Sequence, residues 1–267
     1  MSEKEQKDCK KEAKVLEVLN HPNIIKFRDV YTTHKGKLCI VMNYADGGDL
    51  EKLIRRQQKL SEKRGEIQFL SEDEVLTIFT QICLAIKHVH DRKIIHRDLK
   101  AENIFLTKNR IVKLGDLGVS RVMNSTVSKA QTVVGTPYYM SPECIQGQPY
   151  DRKSDIWSLG ILLYQLCSLK IPFPGNSLVA ITQRIMRLNY EPIDTEVYSK
   201  NVVNLIESMI QKDPEQRPSI NSLLKYPLIW EKVGGLLSDQ VYKDEFSHAT
   251  LHGQNVFKMA KEKIKNK

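Results

Sequence analysis

Residues 96–103 read HRDLKAEN, and residues 115–118 read GDLG. The first stretch lies between a strongly periodic helical segment and a short strand-like segment, which predicts a loop that carries Asp98, Lys100 and Asn103. The second follows the strand-like run IVKL directly and places Asp116 next to a glycine. These two loops decide how the chain is interpreted, because each sets polar side chains at the end of a regular element.

The residue types in these loops indicate phosphoryl transfer. Transfer from ATP needs Mg²⁺ ions held by hard oxygen ligands and a carboxylate that faces the acceptor hydroxyl. Asp98 fits the role of that carboxylate, and Asn103 and Asp116 fit the role of metal ligands. Lys100, two residues further along an extended segment, projects to the same side as Asp98 and could neutralise the γ-phosphate. A single loop Asp is usually a cap or a turn residue, so the prediction depends on all four residues in this order.

Composition excludes several other classes of protein. The 267 residues are 41% hydrophobic and 27% charged, with a net charge of +9 that is spread along the chain. Basic residues do not cluster with aromatic ones, so we expect no nucleic-acid partner. The five cysteines are scattered and the N-terminus is charged from its third residue, which favours a cytoplasmic protein without a secretory signal. The most apolar run, 156–169, is too short and too polar to span a membrane.

The N-terminal part of the chain is predicted to be mixed α/β. Residues 9–19 have a helical period that ends at His21-Pro22, and two strand-like runs, 24–33 and 37–44, form a hairpin through 34–36. A short helix is expected over 50–56, followed by a charged, aperiodic linker over 57–68.

The rest of the chain is predicted to be mainly helical. Ser71 and Glu74 have the spacing of a capping box, ahead of a helix with a continuous apolar face. That face consists of Val75, Ile78, Phe79, Ile82, Ile86 and Val89. Further helical segments are predicted near 154–168, 177–188, 200–211 and 219–226. The expected fold class is α+β, with a small mixed part and a larger helical part.

The motifs resemble those of the eukaryotic protein kinase family over residues 12 to 230. The matching stretches are HRDLKAEN (96–103), DLG (116–118), GTPYYMSPE (135–143), SDIWSLG (154–160) and the Arg217 of DPEQRP. Within that family, LGDLGVSR, the activation segment up to residue 143 and CLAIKHVHDRKIIHRDLK are similar to NIMA-related kinases. The resemblance implies a bilobal fold with a partial N-lobe over 1–45, a C-lobe over 46–230 and a basic tail over 231–267.

The resemblance also assigns catalytic and structural roles. Asp98 would orient the substrate hydroxyl and accept its proton, Lys100 would mark the Ser/Thr class, and Asn103 and Asp116 would ligate Mg²⁺. Three further residues would support the site, namely Glu143 and Arg217 as a buried ion pair and Asp155 as the anchor of the catalytic loop.

For ATP, the resemblance implies a pocket with Met42 as the gatekeeper, the backbone of Asn43 and Ala45 as the hinge, and Phe105 as the floor. Glu12 would pair with the strand lysine of active kinases. Four residues match the apolar column that joins the two lobes: Leu16, Phe27, His96 and Leu117, the last in place of the usual Phe.

Regulation is implied in the activation segment. Thr132 lies where the family commonly carries an activating phosphate, and Arg97 is its natural partner. Thr136 would hydrogen-bond near Asp98 and help to seat the substrate. The alternative for Thr132 is an ordinary loop residue.

One expected part of the family's site has no counterpart in the sequence. The strand lysine and the glycine-rich loop should precede Glu12, but the eleven residues before it contain no glycine. Two explanations remain open: an incomplete version of a serine/threonine kinase that uses ATP, Mg²⁺ and protein substrates, or a catalytically silent pseudokinase-like scaffold. The resemblance further implies cytoskeletal or ciliary duties. Residues 255–267 are predicted to form a short basic surface helix.

Overall fold

The structure, a computed structural model, describes residues 14–116 and 137–246. Over these residues the chain forms nine α-helices and two antiparallel two-stranded sheets. In chain order the elements are β1 (Phe27–Thr32), β2 (Leu38–Met42), α1 (Leu50–Arg64), α2 (Glu72–Asp91), β3 (Ile104–Leu106), β4 (Val112–Leu114), α3 (Pro142–Ile145), α4 (Arg152–Ser168), α5 (Leu178–Arg187), α6 (Lys200–Met209), α7 (Ile220–Leu223), α8 (Pro227–Leu236) and α9 (Asp239–Phe246). Short 3₁₀ turns occur at Lys14–Val18, Ala101–Asn103, Pro137–Tyr139 and Pro214–Gln216.

The predicted N-terminal hairpin is confirmed. β1 pairs antiparallel with β2 from Phe27 opposite Met42 to Thr32 opposite Leu38. Its core-facing side chains, Phe27 and Val30, pack with Leu16, Leu38 and Ile40 in a small hydrophobic cluster. The buried residues of this cluster are distinct from those of the large one, which fills the helical part, and Leu16 packs against both. This agrees with the expected α+β fold of a small mixed part and a larger helical part.

Two long helices form the centre of the large cluster. In α2, the Oγ of Ser71 accepts the N–H of Glu74, and every residue of the predicted apolar face is buried. In α4, Asp151 and Ser154 form a capping box, and all residues from Ser154 to Cys167 are buried. A helix that is buried on all sides belongs to a protein core. Among the described residues, no helix is long and apolar enough to cross a membrane.

The predicted linker over 57–68 is wrong, because α1 continues through Arg64. Asp49 caps the helix by accepting the N–H of Lys52, and Gly65 ends it in the left-handed conformation at φ 73°. The Gln, Lys, Glu and Arg residues between them are good helix formers. The apolar period is missing there because the buried residues of α1, Leu50 and Ile54, both lie in its first half.

The remaining helical predictions differ from the structure mainly at their ends. Residues 14–18 form a 3₁₀ turn rather than an α-helix, and the predicted helix near 219–226 is reduced to the four residues of α7. Pro227 then begins α8, which runs through residue 230 to Leu236 and is followed by α9. The predicted helix over 255–267 lies outside the described residues.

Candidate active site

A single buried carboxylate holds the loop that carries Asp98. Asp155, in the first turn of α4, is inaccessible to solvent and accepts four hydrogen bonds. Two come from the main-chain N–H groups of His96 and Arg97, at 2.9 and 3.0 Å. The other two come from the hydroxyl of Tyr150 and the Nε2 of His90, both at 2.7 Å. Because a buried charge is costly unless it is fully hydrogen-bonded, this network fixes the loop to the core helix, as predicted for Asp155.

The anchored loop has a strained backbone next to Asp98. Arg97 has a φ of 73°, in the left-handed region that non-glycine residues rarely adopt. Such conformations persist when surrounding contacts determine them, and they cluster at functional sites. Here the two N–H bonds to Asp155 provide that constraint. The strain turns the chain so that Asp98 and Lys100 face a common groove.

Asp98, Lys100 and Asn103 form one hydrogen-bonded group. The Nζ of Lys100 lies 3.0 and 2.8 Å from the two carboxylate oxygens of Asp98. The Nδ2 of Asn103 donates to the carbonyl oxygen of Asp98 at 2.7 Å and to its Oδ2 at 2.8 Å. Both amide hydrogens of Asn103 are thus engaged by Asp98, so its Oδ1 points the other way. The structure thus brings these three residues together in one loop, as their spacing in the sequence predicts.

Gly115 connects this group to Asp116. The N–H of Gly115 donates to the carbonyl oxygen of Asn103, and its own carbonyl accepts the Nε2 of His96, both at 3.0 Å. Burial lowers the pKa of His96, so its ring is neutral. Its Nδ1 then accepts the Asp98 N–H at 3.4 Å while Nε2 carries the proton. Gly115, the residue before Asp116, is therefore tied to the loop of Asp98 through both its N–H and its carbonyl.

The residue at position 115 must be small. A Cβ built on Gly115 would come within 2.5 Å of Cε2 and 2.8 Å of Cδ2 of Phe105. The bare backbone lets the Phe105 ring pack directly against the turn that leads to Asp116. The motif GDLG includes this glycine, but the sequence alone did not indicate why a glycine is needed there.

The segment after β2 is joined to the site by main-chain pairing. Gly47 donates its N–H to the carbonyl of Leu106, and the N–H of Leu106 donates to the carbonyl of Gly48, each at 2.8 Å. A bridge between Asp49 and Phe105 extends this pairing. The residues that directly follow the predicted hinge thus pair with the strand that carries the predicted floor residue Phe105.

Side chains predicted for the adenine pocket lie around that segment. Met42, the predicted gatekeeper, lines a small cavity together with Leu16, Phe27 and the predicted metal ligand Asp116. Ala45 is buried and Asn43 is exposed.

The side chain of Asn43 is bonded to a residue of β1. Its Oδ1 accepts the Nε of Arg28 at 2.6 Å.

A groove of about 1360 Å³ begins at Asp98 and Lys100 and runs between α1 and the segment after α4. Tyr139 forms part of its wall. The Tyr139 hydroxyl accepts the N–H of Ala101 at 3.1 Å and donates to the Oε1 of Gln165 at 2.5 Å. Burial raises the pKa of Tyr139 far above its ordinary value, so the hydroxyl keeps its proton. Tyr139 is a supporting residue that the sequence analysis missed, although it stands in a quoted motif.

The predicted ion pair of Glu143 and Arg217 supports the segment around Tyr139. Arg217 is buried, and its two terminal nitrogens lie 2.8 and 2.7 Å from the carboxylate oxygens of Glu143. Ser154 adds a hydrogen bond to Glu143 at 2.6 Å. Burial alone would raise the pKa of Glu143, but the bonds from Arg217 and Ser154 bring it down to about 2.

Some of the predicted residues cannot be compared with this geometry. Glu12, Leu117, Thr132 and Thr136 lie outside the described residues. Arg97, the predicted partner of a phosphorylated Thr132, is partly buried and lines the same groove as Asp98.

The donor set fits Mg²⁺ bound together with a nucleotide. Mg²⁺ is usually held by one or two protein oxygen ligands plus substrate phosphates and water. Asn103 Oδ1, which the bonds to Asp98 turn away from that residue, and the exposed carboxylate of Asp116 are such oxygens. No group of three or more His, Cys, Asp or Glu residues in the part of the chain that the structure describes could hold a metal ion by itself. The site therefore suits a nucleotide-bound cation rather than a metal caged by protein.

Comparisons with known proteins agree with this arrangement. The family model described as "Protein kinase domain" matches residues 1–229. The chain belongs to the protein kinase family.

The predicted similarity to NIMA-related kinases is also confirmed. The chain is 48% identical to human "Serine/threonine-protein kinase Nek5" over 245 residues, which cover 91% of this chain and 33% of that protein. It is 43% identical to mouse "Serine/threonine-protein kinase Nek1" over 251 residues, or 94% of this chain and 20% of the relative. It is 44% identical to "Probable serine/threonine-protein kinase nek3" of Dictyostelium discoideum over 238 residues, or 88% and 20%. The chain thus spans between a fifth and a third of the length of these three relatives, and their names give no support to the scaffold alternative.

Proposed function

We propose that this chain acts as a serine/threonine protein kinase, which transfers the γ-phosphate of Mg·ATP to Ser or Thr hydroxyls of proteins. The observation that carries the proposal is the hydrogen-bonded group of Asp98, Lys100 and Asn103, tied through Gly115 to Asp116. The relatives named above are serine/threonine kinases, which supports the same class of reaction.

Asp98 is the residue that accepts the proton of the acceptor hydroxyl. Its carboxylate is partly exposed to the groove, while Asn103 and Lys100 donate to it and hold its orientation. As the hydroxyl oxygen forms its bond to the γ-phosphorus, the bond from that phosphorus to the β–γ bridging oxygen breaks, and ADP leaves. The hydroxyl proton passes to Asp98. General base catalysis of this kind typically contributes about 10²- to 10⁴-fold in rate.

Lys100 has a second role in this proposal. Its ammonium group is held next to Asp98 and so lies at the place where the acceptor meets the γ-phosphate. A fixed positive charge there stabilises the negative charge that spreads over the phosphoryl oxygens during transfer.

Asn103 and Asp116 would hold Mg²⁺, which neutralises phosphate charge when it is bound. The backbone bond between Gly115 and Asn103 holds together the two chain segments that carry these side chains. Met42, Phe105 and the main chain of Asn43 and Ala45 would hold the adenine, and Glu12 would pair with a strand lysine.

The proposal includes regulation in the activation segment. A phosphate on Thr132 would form charge-assisted hydrogen bonds with the guanidinium of Arg97, whose side chain borders the groove. Thr136 would help to seat the substrate beside Asp98. We further propose a cytoplasmic protein associated with the cytoskeleton or the cilium; the four described cysteines are free thiols, which suits a reducing compartment.

The test is transfer of labelled phosphate from ATP to a generic protein substrate, followed by identification of the labelled amino acid. We expect phosphoserine and phosphothreonine, and at least a hundredfold loss of transfer in Asp98→Asn. Asp29→Asn, on the exposed face of β1, is the matched control and should keep the parent rate.

A second arm separates the two explanations of the N-terminal sequence. In a chimera, the glycine-rich strands and strand lysine of a related kinase precede Glu12. Transfer by the chimera that depends on Asp98 would support the kinase. If neither protein transfers phosphate above its Asp98→Asn variant, the proposal is wrong and the scaffold alternative gains support.

A further inference from the structure

The last described helix, α9, buries a carboxylate against the end of α2. Glu245 is only 5% exposed, and its Oε1 lies 2.6 Å from the Nδ1 of His88 at the end of α2. The carbonyl oxygen of Glu245 accepts the Nζ of the neighbouring Lys87, also at 2.6 Å. Glu245 belongs to residues 231–267, which were predicted to form a basic tail.

The end of α2 is suited to being covered by an acidic partner. Lys87 and His88 are 3% and 1% exposed, although they are polar residues near a helix terminus. Lys87 also pairs with Asp91 at 2.5 Å, and its ammonium lies 5.0 Å from the centre of the Phe246 ring. Burying an ammonium and an imidazole is costly without a nearby anion. Asp91 supplies that anion for Lys87, and the Oε2 of Glu245 adds a second negative charge 3.9 Å from the same ammonium. The Oε1 of Glu245 accepts the Nδ1 of His88, so α9 is part of the folded unit.

Aromatic packing holds α9 in the same place. Phe246 meets Trp230 of α8 edge to face, with ring centroids 5.5 Å apart, and contacts Tyr242 at 5.0 Å. Pairs of this geometry add stabilisation beyond the area they bury. Two independent sets of contacts, ionic and aromatic, therefore dock α9.

His88 also contacts the loop that precedes β1. Its ring lies 5.1 Å, centroid to centroid, from that of His21, which is itself buried. The Nδ1 of His21 accepts the N–H of Asn23 at 3.0 Å. We call residues 21–25 the His21 loop. His88 at the end of α2 thus contacts both Glu245 and the His21 loop.

The His21 loop in turn holds the strand that leads to Asp116. The Nδ2 of Asn23 donates to the Oε1 of Gln81 and to the carbonyl of Val112, at 3.0 and 3.2 Å. The N–H of Leu114 donates to the carbonyl of Asn23, and the N–H of Ile25 to that of Leu114, each at 2.8 Å. Position 114 is two residues from Asp116, so a shift of the His21 loop would move the end of β4.

We propose that Glu245 is a positioning residue, which keeps α9 docked on Lys87 and His88 and thereby fixes the His21 loop and the end of β4. The consequence for Mg·ATP rests on the proposed function, because it assumes that Asp116 is a metal ligand. The mechanical coupling from α9 to the His21 loop and β4 does not depend on that assumption.

The test is amide hydrogen exchange on the complete 267-residue chain, comparing Glu245→Gln with Asp244→Asn. Both changes remove one carboxylate from α9, but Asp244 is exposed. In Glu245→Gln we expect protection to fall at least tenfold in residues 21–25 and 112–115 and to stay within twofold in α6. Asp244→Asn should stay within twofold everywhere. Glu245→Asp, which keeps the charge, should recover much of the lost protection in the His21 loop.

Two results would overturn the proposal. Loss of protection confined to α9 would make it a surface helix without influence on the His21 loop. An equal loss of amide protection in α6 would mean that Glu245 contributes to the stability of the whole fold rather than to the position of the His21 loop. With ATP, the account predicts a higher KM in Glu245→Gln than in Asp244→Asn. Failure of every variant to transfer phosphate would contradict the proposed function and leave the exchange result intact.

Discussion

Replacing Glu143 with Gln removes the anion that faces the buried guanidinium of Arg217. The parent pair is bidentate, with distances of 2.8 and 2.7 Å, and Arg217 is 1% exposed. Breaking a buried pair from one side typically costs about 3–5 kcal/mol, because a charge is left unpaired. The guanidinium also donates to three main-chain carbonyls, those of Gln211, Lys153 and Lys212. These bonds remain in the variant, so we expect a loss near the lower limit, about 3 kcal/mol.

The pKa of Glu143 gives a second estimate of the same energy. Hydrogen bonds from Arg217 and Ser154 outweigh burial and lower this pKa from 4.5 to about 2. At about 1.4 kcal/mol per pKa unit, that difference corresponds to roughly 3 kcal/mol of stability. Because the pKa is lower in the folded state, this stabilisation is fully present above pH 4.5 and is lost as the pH falls from 4.5 towards 2.

The assay is urea unfolding followed by circular dichroism, at pH 7 and again at pH 4. Glu215→Gln, an exposed change in the turn that precedes Arg217, is the matched control and should alter the unfolding free energy by less than about 0.5 kcal/mol. If Glu143→Gln lowers the unfolding free energy at pH 7 by less than about 1 kcal/mol, the reasoning is refuted, because a buried guanidinium without its carboxylate partner should cost more than that.

Two further changes test other parts of the structure. Burial and the nearby His88 lower the pKa of His21 to about 3. The stability that depends on a neutral His21 should therefore be fully present above pH 6.5 and should decline as the pH falls from 6.5 towards 3. In unfolding experiments, His21→Gln should reduce the slope of the unfolding free energy against pH by up to about 1.4 kcal/mol per pH unit. His34→Gln, at an exposed position, should leave this slope unchanged. Gly115→Ala forces a methyl group into Phe105 and should cost about 1–3 kcal/mol and weaken ATP binding. Gly234→Ala, which meets no atom within 4 Å in α8, should be neutral or slightly stabilising on thermal unfolding.

The sequence was most informative where a function depends on residues close together in the chain. Asp98, Lys100 and Asn103 lie within six residues, and the loop that joins them can bring them together whatever the distant packing. The hairpin of β1 and β2 was predictable for the same reason, because its register depends on one short turn. The apolar face of α2 followed from its period alone.

Contacts between distant polar residues could not be predicted in this way. His88 and Glu245 are separated by 157 positions, and both belong to residue types that usually face solvent. Neither residue belongs to the apolar face that the period of α2 predicts, and only the tertiary packing of α9 shows that they are buried. The error over 57–64 has a related cause, because that half of α1 contributes no buried side chain and therefore no apolar period.

The central claim is that Asp98 acts in transfer whereas Asp116 acts in holding Mg·ATP, and one paired titration tests this division most directly. ATP affinity in the presence of Mg²⁺ and the rate of phosphate transfer would be measured together for the parent, Asp98→Asn and Asp116→Asn. The account predicts that Asp98→Asn keeps its affinity within threefold while transfer falls at least about a hundredfold, and that Asp116→Asn loses Mg²⁺-dependent affinity. Equal transfer rates in the parent and Asp98→Asn, or affinity in Asp116→Asn equal to that of the parent, would contradict it.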